Sequence, residues 1–249
     1  MHKFLTSQHE ACSRRGAEGL LTNRFLVLAV SLLLMATASV AHAQFSTPKV
    51  GTKVLDSSPL KPPAGARVAI FEFADLQCPD CARANPVLKE AVAKYKIPWL
   101  RHDFPLSYHT WNREAMIDAR WLDSKSKALG DEFRDEVFAN QSTFYYNTEL
   151  FRKFVQKFTQ SHGITMPFAI DPEGKFAAAV QADFELGQRM GIDHTPTIWI
   201  VTSGSKGAPY IEVTDRTKLF QIIDQALADT AGASKPAVKK STAKATEKN

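Results

Sequence analysis

The stretch Glu72-Phe73-Ala74-Asp75-Leu76-Gln77-Cys78-Pro79-Asp80-Cys81 constrains this chain more than any other. An apolar, β-prone run at 67–74 leads into it, and an amphipathic run from 79 to about 95 leads out. Two cysteines separated by two residues can meet at the first turn of a helix. Pro79 suits that turn, where its missing N–H is no loss. A disulfide closed there is short, accessible and exchangeable, which fits chemistry better than support. The loop it closes is too small to stabilise a fold by much.

There are three cysteines, and Cys12 lies far from the other two. Residues 1–43 read as a secretory signal: an Arg-bearing polar segment, an apolar core from Phe25 to Met35, then Ala41-His42-Ala43. Cleavage before Gln44 would leave one cysteine pair in an exported chain. An uncleaved membrane anchor is the competing reading, and the core is short for a span. Ser13-Arg14-Arg15 is a weak hint of a twin-arginine signal. The formal net charge is +5, but the excess sits at the two ends. Residues 1–43 and the Lys/Ala-rich tail from Lys235 carry it, and the body between them is slightly acidic. No nucleic-acid-binding face is implied for the folded part.

The organisation follows from periodicity. Residues 44–66 read as an extended lead-in, with a short strand near 53–55. A strand at 67–74, a helix at 79–95 and a strand at 97–104 make a βαβ unit, hence an α/β class with a parallel pair. From 106 to 190 the pattern is helical, with one helix from Asn112, a second marked by Phe133, Val137 and Phe138, a third by Leu150 to Phe158, and a fourth over 175–190. A second α/β half at 191–230 follows: a strand at 197–202, a turn, a strand at 210–213 and a closing helix over about 215–229. Residues 231–249 cannot bury apolar surface and are expected to be disordered. Phe144, Tyr145 and Tyr146 read as inter-helix packing with some exposure, with the border of a substrate groove as the alternative.

In the Cys78-Pro79-Asp80-Cys81 motif the helix N-terminus favours a thiolate, so Cys78 is the expected exposed nucleophile and Cys81 the more buried resolving thiol. A half zinc site is the alternative. It needs further ligands, and of His102, His109, His162 and His194 none forms a close pair. Asp75 reads as a turn or capping residue.

The stretch 72–81 resembles the DsbA-like branch of the thioredoxin superfamily. So do Phe104-Pro105-Leu106 with His109, Phe138-Ala139-Asn140-Gln141, and Gly191-Ile192-Asp193-His194-Thr195-Pro196-Thr197. The resemblance covers about 68–229. It implies a thioredoxin fold, a central mixed sheet flanked by helices, with an inserted helical domain. It implies a cis Thr195-Pro196 beside the cysteines, aligning a substrate backbone. It also implies that Glu72 lies beneath Cys81 with a raised pKa and handles protons. Asp80 departs from the histidine often found at that position in strong oxidants. A carboxylate there is expected to raise the Cys78 pKa and make the couple less oxidising, with His194 offsetting this if it faces the sulfurs.

The sequence thus predicts an exported, periplasmic-type thiol–disulfide oxidoreductase with no cofactor or metal, acting as a monomer on substrate proteins with cysteines and recycled by a membrane redox partner. A reductase or isomerase is the enzymatic alternative. A thioredoxin-fold carrier or metal-binding module is the alternative of another class.

Overall fold

The computed structural model describes residues 51–204 and 206–231. The expected signal at 1–43, the start of the lead-in, and the tail beyond Ala231 lie outside those residues.

Four strands form one sheet in the order β2-β1-β3-β4: β1 (Val68–Ala74), β2 (Trp99–Asp103), β3 (Thr197–Thr202) and β4 (Tyr210–Glu212). β1 pairs parallel to β2 and antiparallel to β3, and β3 pairs antiparallel to β4. Helix α1 (Pro79–Tyr95) makes the crossover between β1 and β2. The sheet is therefore mixed, as the sequence reading requires.

Both faces of β1 are covered, which explains its nearly continuous apolar sequence. Val68 and Ile70 join Ile198 and Ile200 against Ala84, Leu88 and Ala91 of α1 and Leu219, Ile223 and Ala226. The last three belong to α6 (Leu219–Asp229) and its first turn. Ala69, Phe71 and Phe73 join Trp199 and Val201 on the other face, against Phe104, Met190 and Ile192. Strand alternation puts Glu72 on the same face as Val68 and Ile70, the face that α1 covers.

Four helices lie between β2 and β3: α2 (Asn112–Lys125), α3 (Lys127–Phe144), α4 (Thr148–Ser161) and α5 (Lys175–Met190). Ser126 and Asn147 cap α3 and α4 by accepting from Leu129 N and Leu150 N. Trp111, Phe133, Phe144 and Phe151 are fully or almost fully buried among these helices, and Trp111 stacks on Phe151 at 4.6 Å. α5 reaches back to the sheet. A Cβ on its Gly187 would come within 2.6 Å of the Phe104 ring, so only glycine permits this approach. Phe144 is inter-helix packing, while Tyr146 is almost fully exposed.

Two local expectations need correction. Residues 53–55 form no strand. The lead-in is held instead by single contacts, Leu55 N to the Met190 carbonyl at 3.0 Å and Thr52 N to Glu212 Oε2 at 2.7 Å. The closing helix begins later than expected. Asp215 caps a short 3-10 turn, Arg216–Lys218, before α6 starts.

Candidate active site

The end of β1 delivers the chain into a turn held by Asp75. Its carboxylate accepts from Gln77 N at 2.7 Å, Leu106 N at 2.8 Å, Asn112 Nδ2 at 2.7 Å and His109 Nδ1 at 2.9 Å. Its backbone carbonyl accepts from Cys78 N at 3.0 Å, and its own N–H points at Cys81 Sγ at 3.5 Å. Asp75 is thus more than the turn residue that the sequence suggests. It ties the cysteine turn to the entry of the helical region. Gln77 adds a second tie, donating to the Tyr145 carbonyl and accepting from Trp111 N. Gln141 Nε2 adds a third, donating to the Leu76 carbonyl at 2.9 Å.

Cys78 stands at the N-cap of α1, followed by Pro79 in the first turn. Both cysteines are free thiols. Cys81 is 1% exposed, and Cys78 only 7%, less than expected of an open nucleophile. The loop bearing Thr195 covers Cys78, whose Sγ donates to the Thr195 carbonyl at 3.4 Å. The Thr195-Pro196 bond is cis.

The two thiols have opposite environments. The Cys81 thiol donates to Cys78 and is the largest influence that pulls its pKa down, to about 6. Burial opposes this, while the Thr195 hydroxyl and the N–H groups of Cys81 and Asp80 assist it. The Thr195 hydroxyl is buried and otherwise without a partner among the described residues, so a thiolate gives it one. Cys81 is pushed well above the usual thiol range, first by burial, then by its bond to Cys78 and the charges of Cys78 and Glu72.

Glu72 is 3% exposed and accepts from Trp99 Nε1 at 2.9 Å. Burial pushes its pKa up to about 7, against the opposing pull of Arg101 and Trp99. Arg101 is its register partner on β2. Neither Trp99 nor Arg101 was singled out by the sequence reading. Arg101 stands opposite Glu72 in the register, and Trp99, opposite Ile70, lies two residues before it on the same side of β2; that spacing is the signal that marks them.

Two tuning expectations change. The carboxylate of Asp80 does not stand alone beside the sulfur: its Oδ1 accepts from Arg83 Nη2 at 3.0 Å and Arg216 Nη2 at 2.8 Å. Cys78 is pulled down, chiefly by its bond from Cys81, and Asp80 contributes through its N–H. His194 makes no hydrogen bond to either sulfur among the described residues. Its Nδ1 pairs with Asp193 at 2.7 Å, and its ring lines a groove with Pro196, Ile198, Glu212 and Arg216. No three His, Cys, Asp or Glu side chains gather as metal ligands among the described residues.

A thioredoxin family model matches residues 64–210, which take in the sheet up to Tyr210, both cysteines, Glu72 and the Thr195-Pro196 loop. The chain belongs to the thioredoxin family. Among solved structures it is similar to α-DsbA1 of Wolbachia pipientis, with a TM-score of 0.55 and 17% identity over 69% of this chain and 91% of that one. It is also similar to the thiol-disulfide exchange protein α-DsbA2 of the same organism, with a TM-score of 0.52 and 16% identity over 66% and 84%. A periplasmic thioredoxin-like protein of Salmonella enterica serovar Typhimurium gives a TM-score of 0.52 and 18% identity over 70% and 94%. At these identities the likeness is one of fold, and the fold is DsbA-like. No curated protein matches the chain.

Proposed function

We propose that this chain is an exported thiol–disulfide oxidoreductase, working as a monomer on cysteine-bearing substrate proteins. The observation that carries the reading is the opposed pair of thiols: Cys78 held near pKa 6 beside a cis proline, and Cys81 held protonated above Glu72. Cys78 thiolate attacks one sulfur of a substrate disulfide and the other substrate sulfur leaves as a thiolate. Glu72, as carboxylate, takes the Cys81 proton. Cys81 then attacks Cys78 in the mixed disulfide, closing the Cys78–Cys81 bond and releasing the second substrate thiolate. Two electrons pass to the substrate. Run in reverse, the closed pair oxidises a substrate dithiol and Glu72 returns the proton to Cys81. Thr195 and Pro196 align the substrate backbone, and no cofactor enters either direction.

The low Cys78 pKa favours the oxidising direction, because it stabilises the reduced form. At pH 7 a fall from 9 to about 6 is worth about 1.4 kcal/mol, on the order of 30 mV. A membrane partner would then withdraw the electrons. The periplasmic relative supports export. A metal carrier is less well supported, since no third ligand stands by the pair among the described residues.

Separate serine variants test the chemistry. Cys81→Ser should accumulate mixed disulfides with a reduced-and-reoxidised substrate, and Cys78→Ser should not. Trapping by neither variant would sink the reading. Equilibration with glutathione tests the direction: the expected potential lies above thioredoxin's, about −270 mV. A lower value would make the chain a reductase.

A further inference from the structure

Asp80 poses a problem for a thiolate-forming site. A carboxylate one residue from the helix N-terminus, between the two cysteines, opposes ionisation of Cys78. The structure holds two arginines against it, and they are not equivalent. Arg83 lies one turn along α1 with its side chain 66% exposed, the setting of a weak, screened surface pair. Arg216 comes from the 3-10 turn before α6, 136 residues later in the chain, and its side chain is 30% exposed. Its Nη2 reaches Asp80 Oδ1 at 2.8 Å, and it lines the groove that also contains Pro196.

We propose that Arg216 is a positioning residue for the disulfide chemistry: by neutralising Asp80 from across the groove, it lets the carboxylate sit in the cysteine motif without suppressing the Cys78 thiolate. The proposal rests on the reading of Cys78 as the nucleophile. Its electrostatic consequence is definite in sign. Without Arg216, Asp80 loses a cation less exposed than Arg83, the thiolate is less stable, and the couple becomes more reducing. Without Asp80, Arg216 has no such lever. The other ionisable groups that influence or respond to Cys78 are Cys81 and Glu72 below it and Tyr108, His109 and Tyr145 on the helical side. Among the described residues no hydrogen bond or ion pair joins any of these to Arg216, whose contact with the cysteine motif is the one to Asp80.

Paired in this way, an acidic residue is compatible with the acidic thiol found here. The segment between β4 and α6 is then part of the redox site, although it lies outside the matched family region.

The test is a double-mutant cycle on the reduced full chain, read by thiolate absorbance against pH and by iodoacetamide alkylation of Cys78. Arg216→Gln should raise the Cys78 pKa by about 0.5–1 unit and slow alkylation at pH 6 by about 3- to 5-fold. Arg216→Lys should retain most of the wild-type value. Asp80→Asn/Arg216→Gln should behave as Asp80→Asn alone. An unchanged pKa in Arg216→Gln overturns the proposal. So does an equal rise in the Asp80→Asn background, which would mean that Arg216 acts on the sulfur directly. If Arg216→Gln fails to fold, Asp80→Asn still decides. A neutralised carboxylate predicts a fall of less than about 0.3 unit, and a fall above one unit overturns the idea. These readouts need no substrate disulfide. The cycle can therefore stand or fall separately from mixed-disulfide trapping, which tests the exchange reaction itself.

Discussion

Glu72 and Asp75 leave the same strand three residues apart, and both are almost completely buried. Their surroundings differ in one respect that decides what each does. Asp75 accepts from four donors, two backbone amides, an amide side chain and an imidazole. Glu72 accepts from one indole N–H, with Arg101 acting on it at a distance. A carboxylate surrounded by donors organises a turn. A carboxylate starved of donors sits near neutrality in its proton equilibrium and can trade a proton at pH 7. Burial alone does not make an acid–base group; the donor count does.

The sharpest way to break this contrast is Asp75→Asn. The amide nitrogen would face N–H donors, leaving buried groups unpaired, and His109 would lose the partner that raises its pKa against burial. The expected loss of stability is about 3–5 kcal/mol by urea denaturation. A loss below about 1 kcal/mol would place Asp75 among ordinary turn residues and remove the contrast.

The same contrast shows what the sequence made legible. The β1–α1–β2 unit follows from periodicity and from the Cys78–Cys81 spacing, because both are local. Glu72 stood out as an acid in an apolar strand. The donors around Asp75 did not, since they arrive from positions 106, 109 and 112 through a loop without periodicity. Arg216 was invisible for the same reason: a charge pair 136 residues apart leaves no pattern in one sequence. The residues at 53–55 misled in the opposite direction. Val54 and Leu55 suggested a strand, but Leu55 remains 67% exposed and no neighbouring strand meets it. Strand propensity needs a partner to count.

A second comparison sharpens with pH, largest where the two thiols are reduced. Glu72 has a folded pKa of about 7, above its unfolded value near 4.5, so its contribution is present below 4.5 and is lost as pH rises through 7. That loss is about 3 kcal/mol. Cys78 has a folded pKa of about 6, below its unfolded value near 9, so its contribution is present above 9 and is lost as pH falls through 6. That term is on the order of 4 kcal/mol. Asp118, whose pKa burial pushes up to about 8, adds a further fall with rising pH that both redox forms share. The difference between the forms should therefore isolate Cys78: reduced minus oxidised stability should be flat below pH 6 and rise toward pH 9. Urea titrations of both forms across this range make the check. Parallel curves above pH 7 would mean that Cys78 carries no depressed pKa.

Glu72→Gln asks whether the donor-poor acid works in the chemistry. The variant should fold and be more stable at pH 7 by up to about 3 kcal/mol, because glutamine avoids the cost of ionising a buried Glu72 while its oxygen still accepts from Trp99. Resolution of a mixed disulfide by Cys81 should slow by about 10- to 100-fold. Attack by Cys78 should change little. A resolution rate equal to wild type would reduce Glu72 to a buried bystander, however high its pKa.

The smallest expected effect is also the most specific. Trp99→Phe removes the one donor that Glu72 has among the described residues and keeps an aromatic ring beneath the Arg101 guanidinium, which lies 3.5 Å over the Trp99 ring. Deleting a donor to the carboxylate disfavours its charged form, by about 1 kcal/mol or somewhat under one pKa unit. The pH midpoint for Cys81 resolution should then move upward from about 7, while the rate above pH 8.5 stays near wild type. A fall in rate at every pH without a shift in midpoint would point to lost packing. A downward shift would show that the indole does not hold the ionised form. An upward shift confined to the midpoint would show that one hydrogen bond separates the proton-trading acid from its anchored neighbour three residues away.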